Sequence, residues 1–467
     1  MKLSEYISGL SYDPRILLSV VEDGATQALP IKERTTQSNA VVICTKTKTS
    51  LKKNLSEVAI MSPAAGVVFP GALILADEDL MEGRPTPLAA LERRECTLSI
   101  DLPGLKDAHR KVMPSGSSVQ KYVNDVLESW NTDPKSQGYV NAARSFMQVT
   151  QAFSSEQTAL DLGFHSKWAS GNVSSQFSAV SNTEKSVVVA YFKQVFYTVT
   201  MDSPEGAANV FADSVTTDQA RECFNNEHPP AYVRSVDYGR ILMVKMETSA
   251  VDSSINLKGA FEQATSGGVT VGSDLSQKYQ AIIKNSTFSA VAIGGGAETP
   301  LAVFTGNSDE AMKGLRDYIQ KGATYRRDNP GLPVAYQVAF LKDNRFAMIG
   351  FPTEYTETQC VRYPNGFVRF ENKGAYIAKA EVTWRETDAS GNPVVDRKWE
   401  SGNKTAGWSQ TVDVPGDAQG LRLKAWCKTG LVWDPWGEIM NVALEGPSNK
   451  TYRFKGTTLI GRGYDVI

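Results

Sequence analysis

The sequence predicts an α+β protein of several domains, ending in a β-sandwich. Three features carry this reading. The chain has 467 residues, more than one hydrophobic core ordinarily serves. Its first two thirds mix helical periodicity with period-two alternation. Its final stretch, residues 360–467, alternates in short runs separated by turn residues.

The first clear helix covers 118–131. Val119, Tyr122, Val123, Val126, Leu127 and Trp130 recur there at helical spacing. A run from Tyr191 to Val199 reads as a strand. A second helix begins with Ser308 as N-cap and Asp309 and Glu310 in its first turn, where the helix dipole favours acids, and continues through Met312, Leu315, Tyr318 and Ile319. Two further segments are ambiguous. In 162–190, Leu162, Phe164 and Trp168 alternate with polar residues, Gly171-Asn172 interrupts, and Val187, Val189 and Tyr191 follow. In 256–283, Leu257, Phe261, Val269, Val271, Leu275 and Tyr279 surround Gly267-Gly268. Both read as amphipathic surface helices, rich enough in Ser, Gly and Thr to be poor helix formers. Beyond Cys360, Ala380, Val382 and Trp384 alternate with Glu381, Thr383 and Arg385, and Leu421, Leu423 and Ala425 with Arg422 and Lys424. Turn chemistry at residues 388–393 and Pro415-Gly416-Asp417 separates such strands. A sandwich follows, with a loop beyond the strand that ends near Trp426.

Composition narrows function. The net charge is −2 and no Lys/Arg cluster stands out, so no nucleic-acid or anionic-lipid surface is expected. The four Lys within 46–53 read as a solvated loop or strand edge. The five Cys are odd in number and widely spaced, which argues against a disulfide scaffold or a zinc site. The three His, at 109, 165 and 228, belong to no ligand motif. Gly294-Gly295-Gly296 lacks the Lys-Ser/Thr of a phosphate loop. No catalytic constellation, metal motif or cofactor motif is visible, so an enzyme is not expected. No stretch of 18 apolar residues exists, and residues 1–24 do not read as a signal peptide. Either a signal has been removed or the chain leaves its cell by another route.

Six of the eight Trp lie in the last 84 residues, and Trp426, Trp433 and Trp436 fall within eleven. Trp pairs a large apolar body with one N–H, which suits a membrane interface. Residues 427–437 read Cys-Lys-Thr-Gly-Leu-Val-Trp-Asp-Pro-Trp-Gly. This resembles the undecapeptide of the thiol-activated, cholesterol-dependent cytolysins, roughly Glu-Cys-Thr-Gly-Leu-Ala-Trp-Glu-Trp-Trp-Arg. Lys428 stands in the cysteine slot, Pro435 in that of a Trp, and Gly437 in that of the closing Arg. Further resemblances run along the chain: Phe69-Pro70-Gly71-Ala72-Leu73, residues 98–105, the strand 191–199, the strand 290–295, the loop 374–378, and Thr458-Leu459.

The resemblance implies a fold and a site. The fold is an elongated multidomain pore-forming toxin, with a central twisted antiparallel sheet flanked by helical bundles. Its parts would be a discontinuous α/β scaffold (1–22, 56–149, 200–246, 320–343), a β linker (23–55, 344–359), a pore-forming part (150–199, 247–319) and the sandwich (360–467). Segments 162–190 and 256–283 would unfurl into two hairpins per subunit, and many subunits would close a barrel. Thr458 and Leu459 would bind cholesterol. Ala375, Ala406, Thr429, Gly430, Leu431, Val432, Trp433, Asp434, Pro435 and Trp436 would meet the membrane. Gly294 and Gly295 would form a hinge. Aligning Ala143-Arg144-Ser145 places Met147 as the oligomer partner of Phe288, and an inter-subunit ion pair would fall on Val149 and Gly306, so it is expected to be absent. The partners implied are cholesterol and further copies in a ring, and the location implied is that of a protein secreted or released as a soluble monomer that then acts at a target-cell membrane. Pro435 resembles the undecapeptide of members that recognise protectin, a human complement-regulatory receptor. The accompanying Tyr-x-Tyr and Arg-Ser signals are missing around Tyr376-Ile377-Ala378, so no protein receptor is expected. The alternative is a non-lytic sterol- or receptor-binding surface protein of the same fold.

Overall fold

The computed structural model describes residues 1–22, 26–61, 67–136, 139–169, 171–182, 184–249, 257–266, 280, 282–294 and 309–467. They form two compact units. One comprises Met1–Gln27, Thr49–Ala250 and Asn256–Thr356, the other Ala28–Lys48 and Glu357–Ile467.

One sheet joins β1 (Thr26–Gln27), β2 (Ile31–Thr36), β3 (Ala40–Leu55) and β13 (Ile349–Pro364), with β3 paired on both sides. The lysine-bearing run 46–53 is thus an inner strand and not the edge expected. Its charges are met locally, as where Lys46 pairs with Glu33 at 2.6 Å. Cys44 of β3 and Cys360 of β13 form a disulfide. The number and spacing of the cysteines argued against a disulfide scaffold; a single bridge between neighbouring strands leaves no trace in spacing. Cys96, Cys223 and Cys427 are free thiols. In the second unit, Arg34 of β2 clasps Asp417 through Nε at 2.8 Å and Nη2 at 3.0 Å. Burial pushes this carboxyl up, but hydrogen bonds from Arg34 and Thr387 outweigh it and hold it below the usual range.

The first unit is built on a nine-stranded antiparallel sheet. Its strands are β4 (Val58–Ala59), β5 (Leu73–Leu75), β6 (Cys96–Ile100), β7 (His109–Val112), β8 (Arg144–Gln151), β9 (Ser186–Met201), β10 (Pro230–Thr248), β11 (Ser286–Ile293) and β12 (Leu332–Phe340). The order is β4-β12-β10-β9-β6-β7, with β5 and β11 also on β10 and β8 on β9. Strand β9 is buried residue after residue from Ser186 to Tyr197, so both its faces are covered. Buried Lys193 survives there because Glu57 and Asp237 flank its ammonium.

The helices are α1 (Leu3–Ser8), α2 (Glu78–Met81), α3 (Gly116–Thr132), α4 (Ser155–Leu162), α5 (Gly171–Ser178), α6 (Thr217–Cys223), α7 (Leu257–Ser266) and α8 (Asp309–Lys321). The expected helix at 118–131 is α3, capped by the Ser115 hydroxyl. Helix α8 is the second expected helix; its N-cap Ser308 lies outside the described residues. Its C-terminal carbonyls are satisfied by buried Arg240, which donates to Tyr318 O at 2.7 Å and Ile319 O at 3.0 Å.

Segment 162–190 is helical only in part. A Ser154–Gln157 capping box opens α4 and left-handed Gly163 ends it. A 3₁₀ turn at Ser166–Trp168 and α5 follow, but 186–190 already belong to β9. Helix α5 packs on β10 and β11, and Ser289 donates to Gln176 at 3.2 Å. Trp168 donates its indole N–H to Met81 O at 2.8 Å, and Lys167 pairs with Glu82 at 2.6 Å. Of segment 256–283, α7 buries Leu257, Ala260 and Phe261; residues 256, 267–279 and 281 lie outside the described residues.

In the second unit two four-stranded sheets enclose one core. The strands are β14 (Gly366–Asn372), β15 (Ile377–Thr387), β16 (Pro393–Glu400), β17 (Ser409–Val414), β18 (Gln419–Lys428), β19 (Gly437–Leu444), β20 (Lys450–Lys455) and β21 (Gly463–Val466). The orders are β17-β14-β20-β21 and β16-β15-β18-β19. The alternation read from sequence points inward as expected: Ala380, Val382, Leu421, Leu423 and Ala425 are buried with Val368, Phe370, Tyr452 and Phe454. The C-terminal β-sandwich is therefore present, and the whole is α+β with strands predominating.

Candidate functional site

Four loops of the sandwich are joined to one another at its end. The knot is Asn372, the fully buried last residue of β14. Its amide donates to Tyr376 O at 3.0 Å and Lys404 O at 3.3 Å, and its side-chain oxygen accepts from Gly374 N at 3.1 Å. Burial of an amide is tolerable only with such partners. Asn372 thereby fixes the loop of Ala375 to the loop of Ala406. Ala375 N donates to Gly456 O at 2.9 Å, which brings in the loop of Thr458 and Leu459. The fourth loop, 429–436, spans β18 and β19, and a Cβ at Gly430 would stand 3.7 Å from Ile377. Nothing in the sequence around Asn372 marked it; its role follows from strand pairing alone.

The turn carrying the predicted sterol pair is closed by the residue before it. Thr457 N donates to Ile460 O at 2.9 Å, and its hydroxyl accepts from Ile460 N at 3.0 Å and Leu459 N at 3.3 Å. Gly456, at φ +86, has its Cα side against Gly461, where a Cβ would meet the carbonyl oxygen at 2.2 Å. Leu459 and Ile460 are consequently held outward, 90% and 79% exposed, while Thr458 is half-buried. Ile460 was missed by sequence reasoning, although it simply extends the apolar tip.

Loop 429–436 is braced from within. Asp434 accepts from Thr429 N at 2.7 Å, and Asp434 N donates to Leu431 O at 3.2 Å. Hydrogen bonding from Thr429 holds the carboxyl below its ordinary range. Leu431, Val432 and Trp433 are 50%, 90% and 80% exposed. Gly430 and Pro435 are exposed as well. Trp436 is not at the tip. Its ring lies 4.6 Å from the Lys379 ammonium and 5.1 Å from that of Lys428, and Lys379 also sits 5.0 Å from the Trp426 ring. Lys428, in the undecapeptide's cysteine slot, thus helps hold Trp436 back. Ala406 is exposed in a turn finished by left-handed Gly407.

The remaining predicted positions lie in the first unit. Gly294 follows β11 at φ +79, where a Cβ would come within 2.8 Å of Gly239 O. Gly295 and Gly306 lie outside the described residues. Met147 is half-exposed on β8, paired with Phe192, while Phe288 is buried on β11 beside Phe261. β8 and β11 are the outer members of the run β8-β9-β10-β11. The two residues therefore do not meet within one chain.

Cys427 is buried, and burial pushes its thiol up while the Arg462 guanidinium pulls the other way. Burial pushes the half-buried Cys96 thiol up to about 11. Thiol-blocking reagents are therefore expected to leave activity at membranes unchanged. Inhibition that disappears in Cys427→Ala would overturn this.

A family model described as thiol-activated cytolysin matches residues 2–363, and one for the thiol-activated cytolysin beta sandwich domain matches 367–462. Tetanolysin of Clostridium tetani is 34% identical over 466 residues, covering 98% of this chain and 86% of the relative. The crystal structure of listeriolysin O, a protein of Listeria monocytogenes, is similar at a TM-score of 0.86 with 31% identity, covering 100% of this chain and 95% of the other. A disulfide-locked intermedilysin mutant, solved with human CD59, is similar at a TM-score of 0.74 with 28% identity, covering 100% and 98%.

Proposed function

This chain belongs to the thiol-activated cytolysin family, and on that premise we propose that it binds cholesterol-rich membrane, gathers into a homo-oligomeric ring and inserts a β-barrel. The observation that carries the docking step is the set of five apolar side chains, Leu431, Val432, Trp433, Leu459 and Ile460, held exposed on two loops at the end of the sandwich. An exposed apolar patch of this kind marks an interaction surface. Each large side chain gains about 1.5–3 kcal/mol on burial, before the cost of ordering. In this reading Thr458 offers its hydroxyl to the sterol and Leu459 its apolar surface. Ala375 and Ala406 enter shallowly beside them.

The barrel would come from segments 162–190 and 256–283. Backbone groups in hydrocarbon must all be paired, so the strands have to close into a barrel. Met147 and Phe288 would then meet between copies, once the α7 cover over Phe288 has gone. Gly294 would give at the end of β11.

Dye-loaded liposomes test this directly. Release is expected from cholesterol-containing vesicles and not from cholesterol-free ones, and human red cells should lyse whether or not CD59 (protectin) is blocked by antibody. Sedimentation with vesicles without release would favour the non-lytic alternative. Strong protection by the antibody would favour a receptor, for which Pro435 is the motivating residue.

A further inference from the structure

The base of loop 429–436 is the pair Cys427 and Gly437, which face each other across β18 and β19. A third residue covers both. Arg462 leaves the other loop three positions after Leu459, just past left-handed Gly461. A Cβ at Gly437 would stand 2.6 Å from an Nη of Arg462, so the guanidinium rests directly on the Gly437 backbone. The same guanidinium lies close enough to the buried Cys427 thiol to pull its pKa down against burial. The undecapeptide that 427–437 resembles closes on Arg; this chain has Gly437 there, and a guanidinium arrives from the neighbouring loop instead. A side chain at 437 would push the guanidinium off this seat.

We propose that Arg462 is a positioning residue that ties the turn of Thr458 and Leu459 to the base of loop 429–436, so that the two apolar tips meet the membrane as one surface. This rests on the membrane-binding reading above. Leu459 and Trp433 are 90% and 80% exposed, so their relative placement depends on what links the bases of their loops. The planar fork of Arg suits it to bridge a backbone and a thiol at once. Losing the link frees each loop to move separately, and ordering both at the membrane then opposes binding.

The test is a swap, made with Cys96 and Cys223 replaced by Ser so that Cys427 is the one free thiol. Arg462→Gly is expected to weaken sedimentation with cholesterol liposomes about tenfold, which corresponds to about 1.4 kcal/mol of lost anchoring. It should also speed maleimide labelling of Cys427 in solution. Gly437→Arg alone should weaken binding too, through collision and like charge. The double variant Arg462→Gly/Gly437→Arg should recover both binding and thiol protection, since the guanidinium then crosses from the other side. A double variant no better than its worse parent, or wild-type binding and labelling by Arg462→Gly, overturns the proposal. Thiol protection reads the tie without any membrane. If the wild type itself ignored cholesterol liposomes while the labelling cycle held, only the docking reading would fall.

Discussion

Changing Thr458 and Leu459 together to glycine is expected to abolish binding to cholesterol liposomes, and lysis with it. The turn does not depend on these two side chains. Thr457 closes it with its backbone N–H and its hydroxyl, and Gly456 supplies the backbone geometry. The double variant therefore keeps the fold and loses the contacts. Leu459 projects almost wholly into solvent, so the folded protein loses little packing. At the membrane the loss is one large apolar burial of about 1.5–3 kcal/mol and one hydrogen bond of about 1 kcal/mol. Affinity should fall by about a hundredfold to a thousandfold, enough to remove binding at working concentrations. Sedimentation with cholesterol liposomes measures it, with thermal unfolding as control for the fold. Wild-type binding by this variant would remove the sterol assignment from the turn.

Tethering segment 162–190 to the sheet is expected to permit binding and ring assembly but to stop permeabilisation until the tether is cut. Gln176 of α5 and Ser289 of β11 are in hydrogen-bond contact. Cysteines at both positions, in a chain whose three free thiols have been replaced, can be joined by a short reducible crosslinker. A hairpin that must leave the sheet cannot do so while held to β11, and an incomplete barrel leaves unpaired backbone in hydrocarbon. Dye release should be absent before reduction and restored after it. Release with the crosslink verified intact would place the membrane-crossing residues elsewhere.

Much of the fold was legible because pattern and burial coincide. Val119, Tyr122, Val123, Val126 and Trp130 mark α3 by period, and Ala380, Val382, Leu421 and Leu423 mark the sandwich core by alternation. Where a strand is covered on both faces the signal fades, and 186–190 was read as the end of a helical segment although it opens β9. Pairings distant in sequence were silent. Neither Cys44–Cys360 nor Arg34–Asp417 leaves a local trace, since each depends on which strands become neighbours. At the candidate site Leu431, Val432, Trp433 and Leu459 were singled out by their order, and Ile460 was not. The polar residues that set the loops in place, Asn372, Thr457 and Arg462, were not, because hydrogen-bond partners are a property of the assembled sheets. Trp436 shows the converse: its identity suggested a membrane contact, but its surroundings turn it onto Lys379 and Lys428.

The disulfide also bears on how the chain is made. Cys44 and Cys360 are 316 residues apart, so β3 leaves the ribosome long before β13 exists to pair with it. Until then an apolar strand edge waits uncovered, the kind of exposure that invites aggregation. Once formed, the bridge closes a loop large enough to raise the free energy of the unfolded chain by on the order of 5 kcal/mol. A reducing interior withholds that gain and an oxidising exterior supplies it. The protein is thus more easily unfolded, and more open to proteolysis, in a reducing compartment than in an oxidising one.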